Sequence, residues 1–351
     1  MELFFFKPTE YERLYNCSSY NIGQIPLENR QHFAIGAFFF SIGIICEVLY
    51  IPCMISIRKH MDSTCYKFMF YIAVIDMLCL LINAITTGIL AILGAVFCSF
   101  PRFIYFVGAF GLGLWACESM AEICLAVNRC MEIASPKMAR FLFEGKRIFI
   151  WMLFPAAYGL YLSIFTKSPC FSSIYIAWFS NPHIGYISGS EENYRNPWHT
   201  VHNIFVMIVL TGIYSVFAMI LFFKMQQFKT NQTGSTASVS QKKIFIQMIL
   251  ISATNATAAA IYVYMNFISI SDFLIILGHF CWIWLMASHR LSIWCPTKLF
   301  VMMCTACLFV DLLWYSHVLP YHLNSLGQQQ ARSFELCQSL HRLIEVEKCE
   351  K

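Results

Sequence analysis

The chain has 351 residues, of which 58% are hydrophobic and only 12% charged, with a net charge of +5. An ordinary soluble domain carries about a quarter charged residues, and a soluble all-helical protein would need charge-rich outer faces that these apolar stretches lack. The composition therefore excludes a conventional soluble fold, and the positive balance is explained by topology and does not suggest nucleic acid.

Residues 1–32 read as an extracellular N-terminal segment. The apolar run at 3–6 is too short, before Lys7 and Pro8, for a cleavable signal peptide, so the first span is expected to be the targeting signal. Asn16-Cys17-Ser18 is a glycosylation sequon ahead of that span, with Asn16 as acceptor. Asn231-Gln232-Thr233 and Asn255-Ala256-Thr257 match the same short pattern but read as chance.

A bilayer core roughly 30 Å thick is crossed by about 20 apolar residues in a helix, whose backbone groups are all bonded internally. The first stretch of that kind covers 33–57, with Glu47 its only charge. Further spans are expected at 66–94, 103–131, 147–166, 202–223 and 244–265. A seventh starts at Phe273. Its segment 273–287 makes only about 22 Å of helix at 1.5 Å per residue, so it must borrow as far as Trp294. The expected fold is all-α, a polytopic membrane protein with a seven-helix bundle over 33–294. Residues 295–351 form an atypical C-terminal region: an apolar run at 299–315, barely long enough to span, and a polar tail.

Orientation follows from Lys and Arg in the short loops, since cytoplasmic loops retain positive charge. Arg58, Lys59 and Lys67 follow span one. Arg129, Lys137, Arg140, Lys146 and Arg147 follow span three, and Lys224, Lys229, Lys242 and Lys243 follow span five. The other side carries fewer positive residues, diluted by Glu2, Glu10, Glu12, Glu28, Glu191 and Glu192. The N-terminus is therefore expected outside.

Cysteine arithmetic separates two populations among 16 residues. Cys46, Cys53, Cys79, Cys117, Cys124 and Cys281 lie within spans and read as small apolar packing residues, implying no metal. Cys98 and Cys170 both face the oxidising side, where a disulfide persists. Joining them would pin the long outer loop across the bundle mouth, with Cys17 as the competing partner.

Charges within a membrane are costly and each needs a reason. Trp115, Glu118, Glu122 and Arg129 fall within one roughly 60° sector of span three at about 100° per residue. An arginine at the inner end, in Asn128-Arg129-Cys130, can hold neighbouring helix ends in one conformation and release them in another, or it can act as an interfacial anchor. Asp76 and Asn83 share a face of span two, as a polar interior for water, a cation or a partner such as Glu118, or as a structural hydrogen-bond network.

These residues resemble a known family. The strings Tyr15-Asn16-Cys17, Glu47-Val48-Leu49-Tyr50-Ile51-Pro52-Cys53-Met54, Cys65-Tyr66-Lys67-Phe68-Met69, Asp76-Met77 with Asn83, and Asn128-Arg129-Cys130 carry the likeness. In that order along a seven-span chain, over roughly residues 15–280, they are similar to the nematode serpentine receptor class T family of G-protein-coupled-receptor-like chemoreceptors. The resemblance implies a rhodopsin-like bundle, an extracellular small-molecule ligand, a heterotrimeric G protein as partner, and a plasma-membrane site in a sensory neuron. It matches Arg129, with Asn128 and Cys130, to the G-protein-facing end of span three. The usual preceding acid is Asn128 here, so the intrahelical ion pair is expected to be absent. It matches Asp76 to the polar position of span two, and Cys98 with Cys170 to an outer disulfide. The ligand is expected near Trp115, Glu118 and Glu122, under the loop at 167–201. After about Trp282 the chain departs from the family pattern.

Catalysis has no visible constellation: the sequence holds no HExxH, phosphate-binding Gly-rich loop, Gly-x-Ser-x-Gly or Cys/His metal spacing, and no cofactor is expected. A multi-span transporter is the alternative. It would show an internal repeat with broken spans in matching positions; Pro52 and Pro155 sit in spans one and four, yet their flanking strings differ.

Overall fold

The structure, a computed structural model, describes residues 1–18, 20–187, 191–230, 257, 259–261, 263–264 and 275–283. The chain divides into two units, Met1–Trp294 and Cys295–Lys351, and the helical bundle belongs to the first. The apolar run expected at 299–315 lies outside the described residues. So do most of the spans expected at 244–265 and from Phe273, of which positions 257, 259–261, 263–264 and 275–283 are helical.

Two short helices, α1 (Glu2–Phe6) and α2 (Pro8–Leu14), precede α3 (Phe33–Arg58). The second span is composite: α4 (Thr64–Leu80), a π-helical segment Leu81–Thr86, and α5 (Thr87–Ile92). Then come α6 (Pro101–Ala134), the short α7 (Pro136–Phe143), α8 (Arg147–Phe165), a two-stranded hairpin of β1 (Cys170–Ser172) and β2 (Ala177–Phe179), and α9 (Pro197–Thr230). Among the described residues, five helical segments are long and apolar enough to cross a membrane: Phe33–Arg58, Thr64–Ile92, Pro101–Ala134, Arg147–Phe165 and Pro197–Ile220. Helix α9 begins earlier than hydropathy alone indicated. Asn196 caps it, its Oδ1 accepting from the His199 N–H at 3.1 Å, and Pro197 at the first helical position has no N–H to satisfy.

Helix α6 is the pillar of the bundle: 78% of its spanning window is buried, against 28% for α8 and 22% for α9. The outer faces of α3 and α8 instead present Phe40, Ile44, Val48, Phe149, Ile150 and Leu153, an apolar surface that suits lipid. Burying α6 requires neighbours to come close. At the α6–α8 crossing, a Cβ on Gly113 would lie 2.9 Å from the Gly159 carbonyl oxygen, so only glycine permits that approach. Between membrane helices, where lipid is as apolar as the side chains, such backbone contact is what drives association.

One mouth of the bundle is covered by a lid of the N-terminal segment and the hairpin. Tyr15 packs edge-on to Phe97 and Tyr105, with centroids at 5.5 and 5.0 Å. The Leu14 carbonyl accepts from His183 Nε2 at 3.2 Å and from the Tyr194 hydroxyl at 3.1 Å. Burial lowers the His183 pKa, keeping the imidazole neutral. The hairpin is fastened by the Ser173 N–H on the Ala95 carbonyl at 3.0 Å.

The expected Cys98–Cys170 disulfide is corrected here: Cys98 is bonded to Cys17. The Tyr15–Phe97 contact brings the N-terminal segment alongside residue 98. Cys170 opens β1, opposite Phe179, with its buried thiol directed at the Ser168 carbonyl at 3.8 Å; burial raises the pKa of that thiol well above its ordinary value. Non-reducing peptide mapping should return a Cys17–Cys98 cross-link and an alkylatable Cys170. Cys17→Ser should lower surface delivery, since losing a native disulfide costs about 2–5 kcal/mol in small domains, while Cys170→Ser should be milder. A recovered Cys98–Cys170 peptide would overturn this assignment.

Candidate ligand-binding site

Beneath the lid lies a cavity whose empty space, including what is open to solvent, is about 520 Å³. Its floor and walls come from Asn83 in the π segment, Trp115 on α6, His199 and Asn203 on α9, and Trp282. Its roof is Trp178 of β2 with Pro169. Trp178 is held by its indole N–H, which donates to Thr87 Oγ1 at 2.9 Å.

The π segment explains part of this arrangement. A π turn bonds i to i+5 and displaces the following residues relative to a continuous α-helix. Two threonines follow the same spacing with their side chains: Thr86 Oγ1 donates to the Leu81 carbonyl at 2.8 Å, and Thr87 Oγ1 to that of Ile82 at 3.0 Å. The Asn83 carbonyl is taken by His279 Nε2 at 2.8 Å, so the irregular turn stays satisfied at membrane depth, as it must.

Trp115 is fixed by a chain of hydrogen bonds. Its Nε1 donates to Asn203 Oδ1 at 2.9 Å, and Asn203 Nδ2 donates to His199 Nε2 at 3.3 Å. Behind it, the Tyr158 hydroxyl donates to His202 Nδ1 at 3.2 Å, and His202 Nε2 donates to Ser119 Oγ at 2.9 Å. Ser119 passes its own proton to the Trp115 carbonyl at 2.7 Å. Trp282 stands edge-on to Trp115, 5.8 Å away.

Of the residues singled out from sequence, the structure brings Trp115 and Asn83 together at the cavity. Glu118 and Glu122 are buried on α6 but are not part of the lining. Asp76 is buried away from the wall and accepts from the Tyr50 hydroxyl at 2.9 Å, joining α4 to α3. His199, His202 and Asn203 escaped the sequence reading. Their signal was present: polar residues at i, i+3 and i+4 fall on one face of a helix, at the start of an otherwise apolar span.

At the opposite end of α6, Asn128 is fully buried and Arg129 about one-third exposed. Asn128 stands where an acid usually precedes the arginine, and Arg129 Nη1 pairs instead with Glu132 one turn later, at 3.6 Å. Glu132 also accepts from Thr64 Oγ1 at 3.1 Å, tying α6 to the start of α4. Cys130 directs its thiol at the Ile213 carbonyl of α9 at 3.9 Å. Among the described residues no group of three or more His, Cys, Asp or Glu is placed to hold a metal ion.

Asn203→Leu should leave the Trp115 indole N–H and His199 without their partner. Stranding a buried donor costs about 1–3 kcal/mol, so the detergent-solubilised protein should melt at a lower temperature. An unchanged melting temperature would show that the chain does not hold Trp115.

Residues 1–295 match the model of the family described as serpentine type 7TM GPCR chemoreceptor Srt. Serpentine receptor class T-55 of Caenorhabditis elegans is 24% identical over 255 residues, covering 72% of this chain and 68% of that relative.

Proposed function

Because the chain belongs to the serpentine 7TM chemoreceptor family Srt, we propose that it is a chemosensory receptor of the plasma membrane, in a sensory neuron. An extracellular small molecule binds in the cavity beside Trp115 and biases the bundle toward a state that engages a heterotrimeric G protein. The observation that carries this reading is the cavity itself: a pocket lined by Asn83, Trp115, Trp178, Asn203 and Trp282 under a fastened lid, at the opposite end of α6 from Arg129. The lidded mouth, with the N-terminus and the Cys17–Cys98 disulfide, then faces outside. Asn128, Arg129 and Cys130 form part of the G-protein-facing end, and Asp76 with Asn83 the polar interior of the second span.

The Arg129–Glu132 pair supplies the bistable element. Both side chains are about one-third exposed, so the pair contributes only a few tenths of a kcal/mol, as for exposed i,i+3 or i,i+4 pairs on a helix. A contact that weak holds Arg129 in place yet yields readily to a partner. Glu118 and Glu122, buried between the cavity and that end, take part through the packing of α6.

Two outcomes test this reading. Arg129→Ala should abolish G-protein signalling while surface level stays near wild type, whereas Glu132→Gln, which frees the arginine, should raise ligand-independent signalling. Normal signalling by Arg129→Ala would make the arginine an interfacial anchor. Sidedness has its own measurement. Asn16 is exposed and accepts from the Ser18 N–H and hydroxyl at 2.8 and 2.7 Å, so glycosidase treatment should shift the wild type and leave Asn16→Gln unmoved. No shift in either would remove this support for an outside N-terminus.

A further inference from the structure

Most polar groups on the cavity wall are already used within the protein. Trp115 Nε1 is bonded to Asn203, Asn203 Nδ2 to His199, and Trp178 Nε1 to Thr87. Asn83 differs. Its side chain is 1% exposed and lines the cavity, and neither its Oδ1 nor its Nδ2 has a hydrogen-bond partner among the described residues. The π turn is the physical reason: its backbone carbonyl is engaged by His279, while the carboxamide is left at the wall. Buried polar groups are nearly always paired, and one that is not calls for an explanation.

We propose that the Asn83 carboxamide recognises a neutral, flat ligand that presents a carbonyl and an N–H on adjacent atoms, as a lactam does. This deepens the receptor reading above and rests on the cavity being its ligand site. A carboxamide offers one acceptor and one donor side by side, and a lactam edge returns both bonds at once. An analogue lacking one of them leaves half of the pair unmade, which is how buried polar groups reject close relatives of their ligand. Neutrality follows from the wall. Among the described residues its one titratable member is His199, and that imidazole already serves as an acceptor. A charged ligand would lose its hydration with no counter-charge to replace it. Flatness follows from the indoles of Trp115, Trp178 and Trp282, which offer aromatic surface for edge-to-face or offset contact with a ring.

The test uses the full chain in lipid nanodiscs and three bicyclic probes: 2-quinolinone, quinoline and quinoline-2-carboxylate. Equilibrium dialysis should show 2-quinolinone binding at least about tenfold tighter than quinoline, the size expected from one or two buried hydrogen bonds, with the carboxylate weakest. Asn83→Leu, which keeps the branched side-chain skeleton but replaces both polar atoms with methyl groups, should abolish the preference for 2-quinolinone while leaving quinoline affinity within about twofold. Should Asn83→Leu fail to fold, the ranking on the wild type still decides. Equal affinities, a tighter carboxylate, an unchanged preference in Asn83→Leu, or no binding of any probe would overturn the proposal. Nucleotide exchange on a reconstituted G protein separates the two readings. An Asn83-dependent preference without exchange would uphold the ligand class and sink the receptor reading; equal exchange with quinoline and 2-quinolinone would do the reverse.

Discussion

The π turn at Leu81–Thr86 is the constraint around which the cavity is built. A helix crossing a bilayer cannot leave backbone groups unbonded, so an irregular turn survives only where neighbours take up the displaced polar groups. Here the hydroxyls of Thr86 and Thr87 and the ring of His279 do so. The same residues then acquire second duties. Thr87 receives the Trp178 indole that roofs the cavity, and Asn83 is left with an unengaged side chain at the wall. A regular α-helix through these positions would shift the face presented by everything after Leu80, and the roof would lose its attachment.

The two ends of the bundle are held by interactions of different kinds. At the lidded end a disulfide, an aromatic cluster around Tyr15 and several backbone hydrogen bonds join the N-terminal segment, the hairpin and α6. At the other end the Thr64–Glu132 hydrogen bond joins α6 to α4, and buried clusters of Phe68, Cys124, Phe143 and Ile148 and of Ile57, Cys65 and Met69 pack the helices together.

The spans were legible because the physics that writes them is one-dimensional: length and apolarity along the chain suffice, and 33–57 or 147–166 came within a residue of the observed helices. Trp115 was legible from its polar-faced helix. What failed depends on three-dimensional placement. Cys98 and Cys170 share a side of the membrane, but so does Cys17, and only the packing of Tyr15 against Phe97 decides between them. Helical periodicity put Glu118 and Glu122 in the same sector as Trp115, yet depth along the helix, which periodicity ignores, takes them off the cavity wall. The π turn has no sequence signature in Leu81–Thr86, and with it went the role of Asn83 at the cavity.

Helix α6 is 34 residues long and carries Trp115 and Arg129 on one rigid element. Fourteen residues of α-helix separate them, about 21 Å at 1.5 Å per residue, so direct electrostatic influence of a bound neutral molecule on the ion pair is negligible. Coupling over that distance requires the helix to shift between two packings, each favoured differently by the ligand. The magnitudes allow it. A ligand that satisfies a buried carboxamide in one packing and misses it in the other gains about 1–3 kcal/mol of difference, whereas the exposed pair it must overcome contributes a few tenths. The opposing term is then the repacking of α6 against its neighbours. The glycine crossing with α8 limits that repacking to sliding and rotation, because the backbones are already in contact and neither helix can approach further. A ligand read by Asn83 therefore has enough differential binding energy to act through α6 provided that the two packings differ by no more than about 1–2 kcal/mol, which is the usual scale of allosteric coupling.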